Sequence, residues 1–430
     1  MIREYSRERI DKVIISQTFL RFWIPESFYM FASVTTTFVL AVIAVVVLHA
    51  TAIQAGLLVV FQELPVFLLS LFVGVWLDRR DLRLVLIFVS LVQTLLLIFA
   101  LFLLNLHSSI YLLYGFAAAL GVAKLVLDLC YTSLLPELIK RHHLVAGNAR
   151  LQVTTAGIKI LAPALAGLLA KYFFPPLILL ICILASVAST VALFFIPQRE
   201  LSRSSDSTSS SGVRPVTNFV QEMKEGVGIL FHDELLRPLV TSSCMSAFAM
   251  GIYQALLVIA VTRNLMLDTS SLGILLALGS VATLAAASMV PGITRVTGMG
   301  RTLVIGNLFT TLGMLLIAGS TQLISVSMAA AGLLSIGLGS PLFSVNQISI
   351  RQAVTPVELM SRVNASRRFI VFSFLPIGAL AGGLLGEILS IAAGLYCAAV
   401  AMLIATVILV RSSLRNRYLH FEQPVARVPS

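Results

Sequence analysis

The sequence predicts an all-α membrane protein, twelve spanning helices in two six-helix bundles, and three observations carry that prediction. Apolar residues fill 58% of the 430 positions and charged residues only 11%, with a mean hydropathy of +0.98, a balance foreign to a water-soluble domain. Apolar runs of about 18 or more residues, the length that crosses a hydrocarbon core, recur about twelve times. Lysines and arginines also alternate by side. Arg79, Arg80, Arg83, Lys140, Arg141, Arg150, Arg199, Arg203, Arg214, Lys224, Arg237, Arg295, Arg301, Arg351, Arg362, Arg367 and Arg368 fall in one set of connectors, and the opposite set offers Lys171 and Arg263. The net charge of +11 therefore expresses membrane topology and not a nucleic-acid partner. With an even number of spans, both termini are expected in the cytoplasm of a multi-pass inner-membrane protein.

Taken in order, residues 1–19 interleave Arg3, Arg7, Arg9 and Lys12 with Ile2, Ile10, Val13 and Ile14, a short amphipathic segment suited to the inner leaflet. It is too charged for a cleavable signal core. Spans are then predicted near 21–48, 52–77, 84–104, 109–135, 145–170 and 175–196, forming an N-terminal bundle over 20–197. A cytoplasmic linker over 198–237 opens with the low-complexity stretch from Ser202 to Gly212. Val216, Phe219, Val220, Met223, Val227, Leu230 and Phe231 then recur at helical spacing, predicting an amphipathic helix along the membrane surface. A C-terminal bundle over 238–410 follows, with spans near 238–262, 270–293, 302–319, 323–350, 362–386 and 388–410, and a tail over 411–430.

The two halves repeat. Ala164-Leu165-Ala166-Gly167 returns as Ala379-Leu380-Ala381-Gly382 at an offset of 215 residues, and Asn148-Ala149 returns as Asn364-Ala365 at 216. Each match is short, but together they suggest parallel six-helix repeats.

Between the second and third spans lies GVWLDRRDLR, Gly74 to Arg83, an unusually dense charge cluster. A glycine ending a membrane helix allows a neighbouring backbone to approach, and Asp78 at the surface suits a helix N-terminus or an arginine. Arg79, Arg80 and Arg83 also serve as topological anchors. Gly74, Asp78, Arg79 and Arg83 resemble the loop signature of the major facilitator superfamily, with PGITRVTGMGRTL from Pro291 as a degenerate counterpart that keeps Gly292 and Arg301. The connectors LLPELIKRHHLVAGNAR and RQAVTPVELMSRVNASRRF are similar to those of its drug:proton antiporter branch, which contains macrolide and enterobactin exporters. That resemblance implies efflux of an amphiphilic compound against proton uptake, and a latch between Asp78 and the start of the eleventh span near Arg362. Ser33 stands about where many relatives carry a first-span acid.

Charges inside spans are expensive and default to functional candidates. Glu63, Lys124 and Lys159 fall at depths of roughly 21, 17 and 22 Å, near the middle of a core roughly 30 Å thick. Asp128 lies one turn from Lys124. These four are proton-coupling candidates, and the same four also suit a neutralised structural network. Glu26 is placed close enough to the start of the first span to reach the interface, and no comparable charge is expected inside the second bundle. Tyr253, Gln254, Asn346 and Gln347 are substrate-cavity candidates, although intramembrane polar groups commonly bond helix to helix. Pro163 and Gly167 in the fifth span resemble, with alanines for two glycines, a glycine-proline motif of antiporters. Pro376, Gly378 and Gly382 in the eleventh offer a second small-residue packing face.

Cys130, Cys182, Cys244 and Cys397 lie in apolar runs without metal-ligand spacing. No nucleotide loop, zinc motif or catalytic triad is evident, so neither catalytic residue, metal nor cofactor is expected. The reading is a secondary active exporter, a monomer whose partners are a small-molecule substrate, protons and the lipid bilayer. An importer or uniporter of a metabolite and a non-transporting receptor or scaffold are the alternatives.

Overall fold

The computed structural model describes residues 17–77, 80–104, 109–138, 144–172, 175–196, 217–355 and 359–415. Its N-terminal helices are α1 (Gln17–Val42), α2 (Ala52–Leu77), α3 (Leu82–Leu104), α4 (Ile110–Leu138), α5 (Leu144–Tyr172) and α6 (Pro175–Leu193). After α7 (Thr217–His232) come α8 (Leu236–Ile259), α9 (Thr269–Thr297), α10 (Met299–Leu323), α11 (Val326–Val354), α12 (Met360–Ile388) and α13 (Ile391–Arg411). No strand occurs among the described residues. Eleven described helices are long and apolar enough to cross a bilayer, and α6 supplies a shorter apolar stretch, Ile178–Leu193. The expected amphipathic segment lies outside the described residues up to position 16, as do the Ser-rich stretch and the tail beyond 415.

Helix ends follow local chemistry. Thr51 and Gln54 form a capping box at α2: the Thr51 amide donates to Gln54 Oε1 at 2.9 Å and the Gln54 amide donates to Thr51 Oγ1 at 3.4 Å. Asp268 accepts from the Ser271 amide at 3.0 Å to open α9, and Ser390 accepts from the Ala393 amide at 3.1 Å to open α13. Each bond satisfies a backbone donor that hydrocarbon would leave bare.

The repeat is visible in the backbone. α1 and α8, the first spans of the two halves, each finish in a π-helical turn, Ile43–Val47 and Ala260–Asn264. Each turn is followed by a left-handed non-glycine residue, His49 at φ 50° and Met266 at φ 51°, and turns and residues alike are 217 residues apart.

By contacts the chain divides into two compact units, Met1–Leu48 with Phe61–Val213 and His49–Val60 with Arg214–Ser430. In the first, α1 packs on α5 and α6, and α3 on α4 and α6. Buried hydroxyls join α3 to α6, Ser90 with Thr190 and Thr94 with Ser186, each at 2.7 Å. Such bonds hold helices together where lipid tails supply no hydrophobic drive. In the second unit α12 lies against α8 through small residues. A Cβ on Gly251 or Gly378 would collide with the opposing backbone of Leu375 or Phe248, and one on Gly382 would stand 2.8 Å from Ile252 Cα. α7 packs on α12 at Gly226, where a Cβ would meet Ser366 Oγ and the Arg362 carbonyl.

Candidate functional site

The polar centre of the first unit begins with a missing side chain. A Cβ on Gly121 of α4 would run into the Gln62 carbonyl oxygen of α2. That close approach carries the neighbouring Glu63 to Lys124, whose Nζ lies 4.0 Å from Glu63 Oε1. Lys159 of α5 feels the charge of Lys124, so three of the four expected residues share one electrostatic environment. Asp128, one turn along α4, receives a 2.7 Å hydrogen bond from the Tyr29 hydroxyl of α1, which also reaches the Lys124 carbonyl at 3.3 Å. Tyr29 is held by stacking on Tyr131, centroids 5.4 Å apart.

Glu26 corrects the sequence reading. α1 begins at Gln17 rather than near 21, so Glu26 is nine residues inside the helix, roughly 14 Å along it, and not at its mouth. Its Oε2 is buried without a hydrogen-bond partner, and the carboxyl lies within the field of Asp128. Glu26, Tyr29 and Asp128 thus form an acidic pocket beside the Glu63–Lys124–Lys159 group. Tyr29 carries no signal in the sequence beyond its helical spacing from Glu26. In the same unit, Trp23, Ile24, Phe28 and Phe31 of α1 with Ile158 of α5 and Leu184 of α6 line an apolar groove of about 780 Å³. The Trp23 indole donates to Thr154 Oγ1 at 2.9 Å, and the Arg150 guanidinium stacks 4.9 Å above the ring.

The polar residues expected in the second unit have differing surroundings. Asn346 is fully buried between helices: its Oδ1 accepts from Thr294 Oγ1 at 3.1 Å, and its Nδ2 donates to the Leu342 carbonyl at 2.9 Å. Gln347 donates to Ser243 Oγ at 3.0 Å and accepts from Arg367 Nη2 at 3.2 Å. Tyr253 is buried and Gln254 exposed. Pro163, Gly167, Pro376, Gly378 and Gly382 all turn to buried faces. Arg351 lies three residues before the end of α11 and Arg367 seven residues after the first residue of α12, so both stand near helix ends.

Of the loop motif, Asp78 and Arg79 lie outside the described residues. Arg83 donates to the Phe194 carbonyl at 3.0 Å, and Asp81 caps α3 by accepting from the Arg83 amide at 2.9 Å. A Cβ at Gly74 meets no described atom within 4 Å. Arg362 pairs with Glu225 of α7 at 2.7 Å.

Comparison with known proteins decides the family. The model of the Major Facilitator Superfamily matches residues 27–376. The chain belongs to this superfamily. No curated protein matches significantly. Among solved structures, the nucleoside transporter NupG is similar with a TM-score of 0.71 at 12% identity, covering 92% of this chain and 98% of that one. A bacterial homologue of the iron transporter ferroportin in an inward-facing state gives 0.72 at 19%, covering 94% and 100%. A POT family transporter in complex with a thioalcohol-conjugated peptide gives 0.68 at 12%, covering 91% and 95%. At these identities the likeness is one of fold. This superfamily member is a multi-pass, all-helical membrane transporter.

Proposed function

We propose that this transporter exports a small amphiphilic compound, a drug, macrolide or siderophore-like molecule, across the cytoplasmic membrane by alternating access and proton antiport. The observation that carries the reading is the gathering of Glu26, Glu63 and Asp128 inside one bundle with Tyr29, Lys124 and Lys159 around them. Acids at depth in membrane spans are expensive and default to functional candidates. Oε2 of Glu26 has room for a proton. Asp128 accepts from Tyr29 through Oδ1, so a proton on its other oxygen would weaken that bond, which ties protonation to the seating of α1 on α4. At Glu63 a proton competes with Lys124 for the carboxylate. Protonation at one membrane face and release at the other would bias which face the bundles open to. The apolar groove edged by Trp23 and Arg150 supports an amphiphilic cargo, because drug-sized ligands are taken by apolar pockets with few polar anchors. The proposal places both termini in the cytoplasm, on the distribution of Lys and Arg, and takes the protein as a monomer. Asp78 and Arg362 serve in it as the loop latch, with Glu225 competing for Arg362.

One observation favours a second reading. Glu63 and Lys124 already neutralise each other at 4.0 Å, as they would in a uniporter or importer that has no need of protons. Reconstituted vesicles with an imposed pH gradient separate the two. With a panel of amphiphilic dyes and macrolides, wild type accumulates at least one compound against its gradient. Glu26→Gln, Glu63→Gln or Asp128→Asn abolishes accumulation and keeps counterflow. Uphill transport at wild-type rates in all three variants, or no transport of any panel compound, contradicts the proposal.

A further inference from the structure

Arg367 of α12 donates to Gln347 of α11, one turn before Arg351, and lies within the field of the Arg351 charge. Arg351 is only 8% exposed, and its Nε and Nη1 are buried without a hydrogen-bond partner. Arg367 is half-buried, and its Nε is also without one. Among the described residues neither guanidinium forms an ion pair, whereas the neighbouring Arg362 has Glu225 at 2.7 Å. The surroundings are greasy: Cys244, Ile350, Val354, Val363 and Val371 belong to one buried cluster. Two like charges side by side in such a place are stable only with a counter-charge, since a buried ion without a partner is strongly disfavoured by the loss of its hydration.

The orientation of Arg367 is set by a relay. Arg367 Nη2 donates to Gln347 Oε1 at 3.2 Å, Gln347 Nε2 donates to Ser243 Oγ at 3.0 Å, and Ser243 donates to the Leu239 carbonyl at 2.6 Å. This relay crosses α12, α11 and α8, and it occupies one edge of the Arg367 fork while leaving Nε open. Gln347 is one turn before Arg351 on α11. Thr355, one further turn on and 5% exposed, has a buried hydroxyl without a partner. Donors from three side chains on two elements are thus unfilled at one end of the bundle.

We propose that Arg351 and Arg367 form a binding site for an oxyanion, a carboxylate or phosphate group seated between the two forks with Thr355 as a further donor. Guanidiniums suit this chemistry because their planar N–H pairs match the oxygens of such anions. The anion enters as a free ion, as the acidic end of a solute or as a lipid headgroup. The site does not depend on proton antiport, and its test leaves the transport reading untouched.

The test uses the purified full-length protein in nanodiscs of neutral lipid. Unfolding temperature is followed as inorganic phosphate, and separately acetate, replaces chloride at constant ionic strength. Wild type is expected to show a saturable rise with at least one of the two anions. Arg351→Gln and Arg367→Gln should each raise the half-saturating concentration at least tenfold. Arg367→Lys, which keeps the charge and loses the fork, should fall between. Arg368→Gln, whose guanidinium is exposed and lies 5.6 Å over the Phe372 ring, should respond as wild type does. Nanodiscs containing anionic phospholipid distinguish the sources: a blunted ion response identifies a headgroup as occupant, and an undiminished one a soluble anion. The proposal is overturned if wild type shows no saturable rise in neutral lipid, if the rise survives in both Gln variants, or if it emerges only in Glu358→Gln. That last result would mean the chain's own acid closes the pair.

Discussion

Gly121 offers a prediction in which the structure sets the magnitude. An alanine methyl there meets the Gln62 carbonyl oxygen and lies 3.2 Å from its carbon, against 3.4–4 Å for ordinary contact. α2 and α4 must therefore separate by several tenths of an ångström to about 1 Å, and overpacking of this kind costs about 1–3 kcal/mol. The same movement stretches the 4.0 Å Glu63–Lys124 pair. At an effective dielectric of about 20 the attraction falls from about 4 to about 3 kcal/mol, and because the Lys124 side chain is 37% exposed, screening reduces that loss to a few tenths. Steric strain is the larger effect. Gly115, on the same helix, is the control, since a Cβ there meets nothing within 4 Å. Both substitutions gain up to about 1 kcal/mol of helix propensity, so their difference isolates the seam. Melting in detergent can be read by labelling the fully buried Cys130 and Cys182 with a thiol-reactive fluorophore. Gly115→Ala should melt at or above wild type, and Gly121→Ala below it with slowed gradient-driven flux. Equal melting of the two variants would refute the reasoning.

Two further predictions concern the second unit. Asn346→Leu, which removes the bonds to Thr294 and Leu342, should cost about 0.6–1.7 kcal/mol in the same melting assay and leave substrate preference intact. A changed preference with unchanged melting would make Asn346 a ligand contact instead. Glu387 Oε2 accepts from the Ala52 and Ile53 amides at 2.9 and 3.4 Å, capping α2 with a negative charge. Glu387→Ala should speed hydrogen exchange over residues 52–55 markedly, and Glu387→Gln, which keeps an acceptor, should do so less. Unaltered exchange in Glu387→Ala would remove the cap from the account.

The fold is largely legible in the sequence because a bilayer restricts what an apolar run can do. Ala52–Leu77 matches its predicted bounds, and most other spans shift by a few residues at their ends. Those shifts matter where a charge is near. The early start of α1 at Gln17 moves Glu26 from the interface to the interior, because it puts nine helical residues before Glu26 where the predicted start leaves five. Arg351 reads as a loop residue, because counting charges by side registers it as topological and cannot show that α11 extends past it. Depth alone is enough to bring Glu63 and Lys124 together. The glycine that permits their meeting is invisible at that level, since Gly121 looks like any other small residue until α2 is seen against it. Spacing shows that Asp128 and Lys124 share a face, but only the packing of α1 brings Tyr29 to that carboxylate.

The most direct measurement is substrate-evoked proton movement, recorded with a pH-sensitive dye trapped in vesicles that hold the reconstituted protein. Adding a transported amphiphile should shift the interior pH in wild type, while Glu26→Gln transports the same compound down its gradient with the proton signal lost. Substrate flux in wild type unaccompanied by any proton movement would contradict the claim that the acids of the first bundle couple the two.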